Sequence, residues 1–252
     1  MNQKRTYLCV VPKFRGSGGP SAFLGNLRAG LKERGIEFED DIKTTRAGTI
    51  LVLGGTRHLI DLWQAKSRGI CIVQRLDGMN WLHRKKWTGI KHFLRSEWLN
   101  WNLAFIRRAL ADSIIYQSKF TETWWNQVYG EVNKQSEVII NGVNTGVFKP
   151  EKQHQKLEGR INISVVEGSF LGGHERDLMN AIDFAGTLSK RTKIPVEISI
   201  AGKIPPETQF NIDTPEGVVI VWLGEISKSE VIACNQKAHL FFSAEINAPC
   251  PN

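Results

Sequence analysis

Long hydrophobic runs are missing from this 252-residue sequence. The longest apolar stretches, such as TILVLGG and VEISIAG, are strand-sized. They fall far short of the roughly 20 residues that cross a bilayer as a helix. The N-terminus, MNQKRTYLCVVPKF, has charges followed by only a brief apolar run, without the long apolar core and small-residue cleavage site of a signal peptide. Cysteine is scarce and scattered: Cys9, Cys71, Cys234 and Cys250 have no CxxC spacing. That speaks against a structural zinc site and for a reduced compartment. Cys9 and Cys71 sit in apolar strand contexts and are expected in the core. Asp40 and Asp41 are adjacent rather than spaced as DxD, and the six histidines show no ligand spacing, so no metal site is expected. No glycine loop is followed by GK[ST], and neither low-complexity segments nor solenoid repeats are visible. The expected setting is cytoplasmic.

What is present is a core and a positive charge. Hydrophobic residues make up 41% and charged residues 23%, enough for folded domains and against disorder. The net charge of +8 is concentrated in HRKKWTGIKHFLRSEW and FIRRAL. There His83, Arg84, Lys85, Lys86, Lys91, Arg95, Arg107 and Arg108 interleave with Trp81, Trp87, Trp98 and Trp101. Composition leaves three readings open: peripheral contact with anionic membrane headgroups or a phosphorylated acceptor, nucleic acid, or a solvated helix face whose tryptophans pack inward.

Along the chain, strand patterns alternate with helix patterns. RTYLCVVP reads as a buried strand, RGSGGPS as a glycine turn, and AFLGNLRAGLKERG as a helix with Phe23, Leu24, Leu27 and Leu31 on one face. Pro20 suits its first turn and Gly35 its stop. TILVLGG, ICIVQRLDG, DSIIYQS and SEVIINGV read as further strands; TRHLIDLWQAKSRG, IKHFLRSEWLNWNLAFIRRALA and KFTETWWNQVYG read as helices. Strands apolar on both faces, with polar residues at their carboxyl ends, predict an α/β fold with parallel sheets and ligands at that edge. The polar stretch FKPEKQHQKLEGR reads as a linker, giving domains 1–150 and 151–252. In the second, INISVVEG, VEISIAG, GVVIVWLG and AHLFFSA are strands, and DLMNAIDFAGTLSKRT and SKSEVIACNQK are helices.

Two motifs stand out. GSGG, containing Gly18 and Gly19, can turn backbone N–H groups toward an anion at a helix start, although an ordinary tight turn would look the same. VIINGVNTGVFKP reads as a strand and a structured loop built on Asn141-Gly142, Asn144 and Gly146.

Together with two further segments, these resemble glycosyltransferase family 4. The four are FRGSGGPSAFLGNLRAGLKERG, ADSIIYQSKFTETWWNQVYG with Gln117 and Ser118, VIINGVNTGVFKP, and VIVWLGEISKSEVIACNQKAHLFFSAEINAPCPN. The resemblance runs from Tyr7 to Asn252. It implies a GT-B fold of two Rossmann-like domains and a retaining, metal-independent transfer from a nucleotide-diphosphate sugar, with no other cofactor. Acceptor groups fall on the first domain and donor groups on the second, with chemistry in the cleft. By this likeness Gly18 and Gly19 approach the diphosphate, and Gly224, Glu225 and Ile226 meet the base. Asp77 stands near the reacting sugar as the catalytic candidate, flanked by Arg75 and Asn80. Arg84, Lys85 and Lys86 fall on the side of a glycan or lipid-linked acceptor, or of a membrane.

The sequence also departs from the family. The usual Arg and Lys after the first strand of the second domain are replaced by VVEGSFLGGHERDLMNA, so either glycine-loop N–H groups with Arg176 grip the diphosphate or donor binding differs; Lys203, after VEISIAG, is within reach of a phosphate as a further candidate. Aligned on PCPN, the first glutamate of the family's pair falls at Ala248, and the second would lie beyond Asn252. The expectation is a chain that is most of such an enzyme, with an incomplete second domain, exposed apolar surface there and impaired activity. The alternatives are a GT-B protein that binds a nucleotide sugar without transferring it, in the manner of an epimerase, or a basic nucleic-acid-binding protein. No nucleic-acid motif supports the last.

Overall fold

A computed structural model of the chain describes residues 7–13, 19–150, 159–170, 175–204 and 212–243. It divides into two compact units, residues 1–141 and 142–252.

The first unit is a six-stranded sheet in the order β2-β1-β3-β4-β5-β6. Its strands are β1 (Tyr7–Val11), β2 (Glu37–Glu39), β3 (Thr49–Leu53), β4 (Cys71–Leu76), β5 (Ser113–Tyr116) and β6 (Gln135–Val138). Every pairing is parallel. The helices are α1 (Gly19–Glu33), α2 (Leu59–Ser67), α3 (Ile90–Phe105) and α4 (Lys119–Tyr129).

Alternate residues of the strands feed two separate cores, as the two-residue strand period requires. Ile50, Val52, Ile72, Leu76, Ile114 and Tyr116 face Leu62 of α2, Ile106 and Leu110 beyond α3, and Trp125 of α4. Val10 and Leu53 face Leu24 of α1 on the other side. The chain therefore winds one way from β1 to β2 and the other way from β3 onward. The reversal lies between β1 and β3, where open α/β sheets leave a crevice at the strands' carboxyl ends.

The second unit has β7 (Ile161–Ser169), β8 (Val196–Lys203), β9 (Val218–Gly224) and β10 (Leu240–Phe241), all parallel, in the order β10-β7-β8-β9. Its helices are α5 (Glu175–Thr192) and α6 (Lys228–Lys237). Leu178, Ala181, Ile182 and Ala185 of α5 bury against Ile163, Val165, Ile198 and Ile200. Gly202 lets the ends of β7 and β8 close on each other. Its φ is +143°, and a Cβ there would stand 2.4 Å from the Glu167 carbonyl oxygen.

The strand-helix alternation matches the sequence reading, with local differences. The short β2, EFE, has too few apolar residues to announce itself. Strand β6 ends at Val138, so Ile139 and Ile140 belong to the loop. Cys9 is buried in the core, and burial pushes its thiol up to about 11; Cys71, expected inside, is exposed at the start of β4.

Candidate functional site

Three motif segments of the first unit meet on one cation. Arg75, the penultimate residue of β4, is buried, and its guanidinium carbon stands 3.9 Å from the centroid of the Phe23 ring on α1. Its Nη2 donates to Gln117 Oε1 at 2.7 Å and to Asn141 Oδ1 at 2.6 Å. Gln117 follows β5 and Asn141 lies just past β6, so the parallel register delivers both amides to the same edge. Ser118, beside Gln117, caps α4: its Oγ accepts from the Thr121 N–H at 3.1 Å.

Asp77 lies one residue beyond β4. Its side chain is partly exposed by area, yet sheltered enough that burial pushes its carboxyl above the usual carboxylate range. The nearby positive charge of Arg75 opposes that rise. Its backbone is fixed, because the Asp77 carbonyl accepts from Nε1 of the fully buried Trp125 at 2.7 Å. Asn80 is exposed, and its loop is held by the fully buried Asn100. The Asn80 N–H donates to Asn100 Oδ1 at 2.9 Å, and Asn100 Nδ2 donates to the Asn80 carbonyl at 2.7 Å.

A cavity of about 360 Å³ opens at the carboxyl ends of β1, β2 and β3, lined among others by Lys13, Asp40, Asp41, Lys43, Thr56 and His58. Lys13 pairs with Asp40 at 2.8 Å, and His58 Nδ1 lies 3.1 Å from Asp61 Oδ2. The Lys43 N–H bonded to Asp41 holds that carboxyl below its usual range. The cavity lies at the strand reversal, where open α/β sheets bind ligands.

In the second unit the donor candidates share one edge. Lys203 ends β8 directly opposite Ser169 at the end of β7, and Gly224, with φ +67°, ends β9 next to it. Lys203 and Arg176, in the first turn of α5, are exposed. Glu225 is exposed and Ile226 half-buried, immediately before a capping box in which Ser227 and Glu230 close the N-terminus of α6. A Cβ at Gly224 would meet open space, so the loop there leaves room for a ligand. Gly19 begins α1 and is exposed, whereas Gly18 lies outside the described residues, as does residue 248 with the PCPN segment.

The basic region separates into distinct groups. Arg107 is buried within a π-helical turn, Ile106–Leu110, donating to the Tyr116 hydroxyl at 2.9 Å and the Gly130 carbonyl at 2.8 Å. Arg84 is spoken for: its Nε and Nη2 donate to the two oxygens of Glu97 at 2.6 and 2.8 Å, and His83 Nε2 adds a third contact at 2.6 Å. Hydrogen bonding from Arg84, ahead of that from His83, holds Glu97 down to about 2. Lys85 and Lys86 remain exposed.

The sequence reading named Arg75, Asp77, Gln117 and Asn141 but not the buried amides Gln74 and Asn102 nearby. Gln74 Nε2 donates to the Gly54 carbonyl at 2.8 Å and the Leu103 carbonyl at 3.1 Å; Asn102 Nδ2 donates to the Thr56 carbonyl at 2.9 Å. The available signal was a glutamine, Gln74, inside an otherwise apolar strand and an asparagine, Asn102, within an amphipathic helix.

No family model and no curated protein matches the sequence. Solved structures do resemble the fold. A protein of Listeria monocytogenes described as a UDP-N-acetylglucosamine 2-epimerase aligns with a TM-score of 0.51 at 12% identity, over 96% of this chain and 75% of that one. Sucrose-phosphate synthase from Thermosynechococcus elongatus gives 0.49 at 13% identity, over 87% of this chain and 53% of its own. MurG of Acinetobacter baumannii gives 0.45 at 11%, over 95% and 73%. The chain spans about half the length of the sucrose-phosphate synthase. Among the described residues no helix is long and apolar enough to cross a membrane. Its two Rossmann-like units with parallel sheets make this chain an α/β protein of GT-B type.

Proposed function

We propose that the chain carries the machinery of a glycosyltransferase akin to family 4, moving a sugar from a nucleotide-diphosphate donor to a glycan or lipid-linked acceptor with retention and without a metal. The observation that carries this reading is the second unit's carboxyl edge. Lys203 and Gly224 end neighbouring strands, and Arg176 opens the helix that follows the third. Exposed cations, an open glycine position and helix N-termini are what a diphosphate needs.

In the transfer, the acceptor oxygen forms a bond to the anomeric carbon as the bond to the diphosphate oxygen breaks. The acceptor proton passes to the departing oxygen. Arg176 and Lys203 balance the charge that develops on the leaving diphosphate. On the first unit, Asp77 accepts a hydrogen bond from the acceptor hydroxyl and orients it; Arg75, fixed by Gln117 and Asn141, opposes the rise that burial imposes on that carboxyl.

A second reading, that the chain epimerises a nucleotide sugar without transferring it, is favoured by the likeness to the Listeria protein. Incubating the full chain with a nucleotide sugar, with and without acceptor glycans, and following products by proton NMR separates the two. Transfer predicts a new α- or β-linkage matching the donor's anomer, insensitive to EDTA. Epimerisation predicts a changed nucleotide sugar with no acceptor present. A product of inverted anomeric configuration would overturn the retaining mechanism.

A further inference from the structure

The fully buried residues of helix α3 are polar, Ser96, Asn100 and Asn102, with Leu103 and Ala104 partly buried against the core beside them, and the two asparagines are tied to backbone atoms of the first unit. The outward face of the helix is apolar. Ile90, Leu94, Trp98, Trp101 and Phe105 follow one another at spacings of three and four residues, which aligns them in one stripe along a helix. Ile90 is 66% exposed, Leu94 63% and Trp101 54%, and Trp87, just ahead of the helix, is 76% exposed. Trp101 and Phe105 stack on each other with ring centroids 5.3 Å apart. The inward packing of tryptophans that composition had left open does not occur at Trp87, Trp98 or Trp101.

What borders the stripe identifies its partner. Lys91 and Arg95 lie on α3 and are exposed, and Lys85 and Lys86 are exposed just before it. The one carboxylate on the helix, Glu97, is bonded to Arg84 and His83. A second copy of the chain would bring lysines against lysines, and protein interfaces are depleted in lysine. Exposed tryptophans beside lysines and arginines match the boundary between lipid headgroups and acyl chains. There aromatic rings sit at the interface and long cationic side chains reach the phosphates.

We infer that α3 is a docking surface for an anionic lipid bilayer: the helix lies in the interface plane, the Ile90–Phe105 stripe enters the acyl boundary, and Lys85, Lys86, Lys91 and Arg95 meet headgroup phosphates. This is independent of the transferase reading, since it requires neither donor nor acceptor.

Vesicle co-sedimentation of the full chain tests it, using phosphatidylcholine vesicles with and without 30% phosphatidylglycerol (about a third anionic lipid, as in a strongly charged leaflet). The protein should pellet with the anionic vesicles, and high salt should weaken binding. Leu94→Glu with Trp101→Glu should abolish binding, and Lys91→Glu with Arg95→Glu should weaken it at least about tenfold, since each cation near a charged surface contributes about fivefold. All four side chains are exposed, so circular dichroism and melting of both variants should match the parent. Absence of binding to anionic vesicles would overturn the inference. So would binding undiminished by Leu94→Glu with Trp101→Glu, or self-association in lipid-free solution that this variant removes while vesicle binding is absent.

Discussion

Arg75 is the residue on which the first unit's edge depends. Two amide oxygens from separate loops accept from one of its nitrogens, and a phenyl ring lies against its guanidinium. Lysine cannot reproduce that planar fork. Replacing it with methionine leaves Gln117 and Asn141 without their donor in partly buried surroundings, so Arg75→Met should cost about 2–4 kcal/mol in urea unfolding. Asp77 behaves in the opposite way. A carboxyl whose folded pKa lies above its unfolded value is accommodated fully at low pH, and that accommodation is lost as pH rises through the folded pKa. Asp77→Asn removes the charge that burial penalises. At neutral pH it should melt at or above the parent's temperature while losing about 100-fold or more in turnover. A variant that is both less stable and fully active would contradict the role assigned to Asp77.

At the scale of elements, α3 shows how far the sequence could be read. Its three- and four-residue apolar periodicity is plain in IKHFLRSEWLNWNLAF, and a helix is what forms. Periodicity alone cannot say which face turns inward. That was decided by asparagines that satisfy loop carbonyls and by Gly55, where a Cβ would stand 2.5 Å from Asn102 Oδ1. Strands β1, β3 and β9 were legible because they are apolar on both faces, and β8 because Val196, Ile198 and Ile200 alternate with the polar Glu197 and Ser199. The meeting of Arg75, Gln117 and Asn141 was not legible, because it depends on the register of three strands distant in sequence. The loop entering α3 carries its own prediction. Glu97, held down to about 2 by Arg84 and His83, contributes stability that is present above the unfolded value near 4.5 and is lost as pH falls toward 2. Melting temperature should fall over that window, and Glu97→Gln should flatten the fall while costing about 1 kcal/mol at neutral pH. In the second unit, Gly202→Ala forces a Cβ into the Glu167 carbonyl at a backbone angle that only glycine adopts readily. A loss of about 2–4 kcal/mol is expected from its denaturation curve.

Over the whole molecule, the two cores of the first unit and the core of the second share no described residue, which gives each unit its own cooperative block. Truncating a fully packed residue of the second, Ile163→Ala, should cost about 2–5 kcal/mol in that unit's transition. Hydrogen exchange around Trp125 in the first unit should stay unchanged. The two parallel sheets share one logic, with apolar strands inside and polar, charged or glycine residues where each strand ends, and it is there that Asp77, Lys203 and Gly224 stand. The functional account rests on the second of those edges receiving a nucleotide diphosphate. Isothermal titration of the full chain with UDP, GDP and ADP, in parent and Lys203→Glu forms, measures this most directly. The account predicts saturable binding of one nucleotide diphosphate by the parent, weakened at least about tenfold by the charge reversal, the worth of one charge-assisted contact. Absence of binding for all three at millimolar concentration, or binding indifferent to Lys203→Glu, would contradict it.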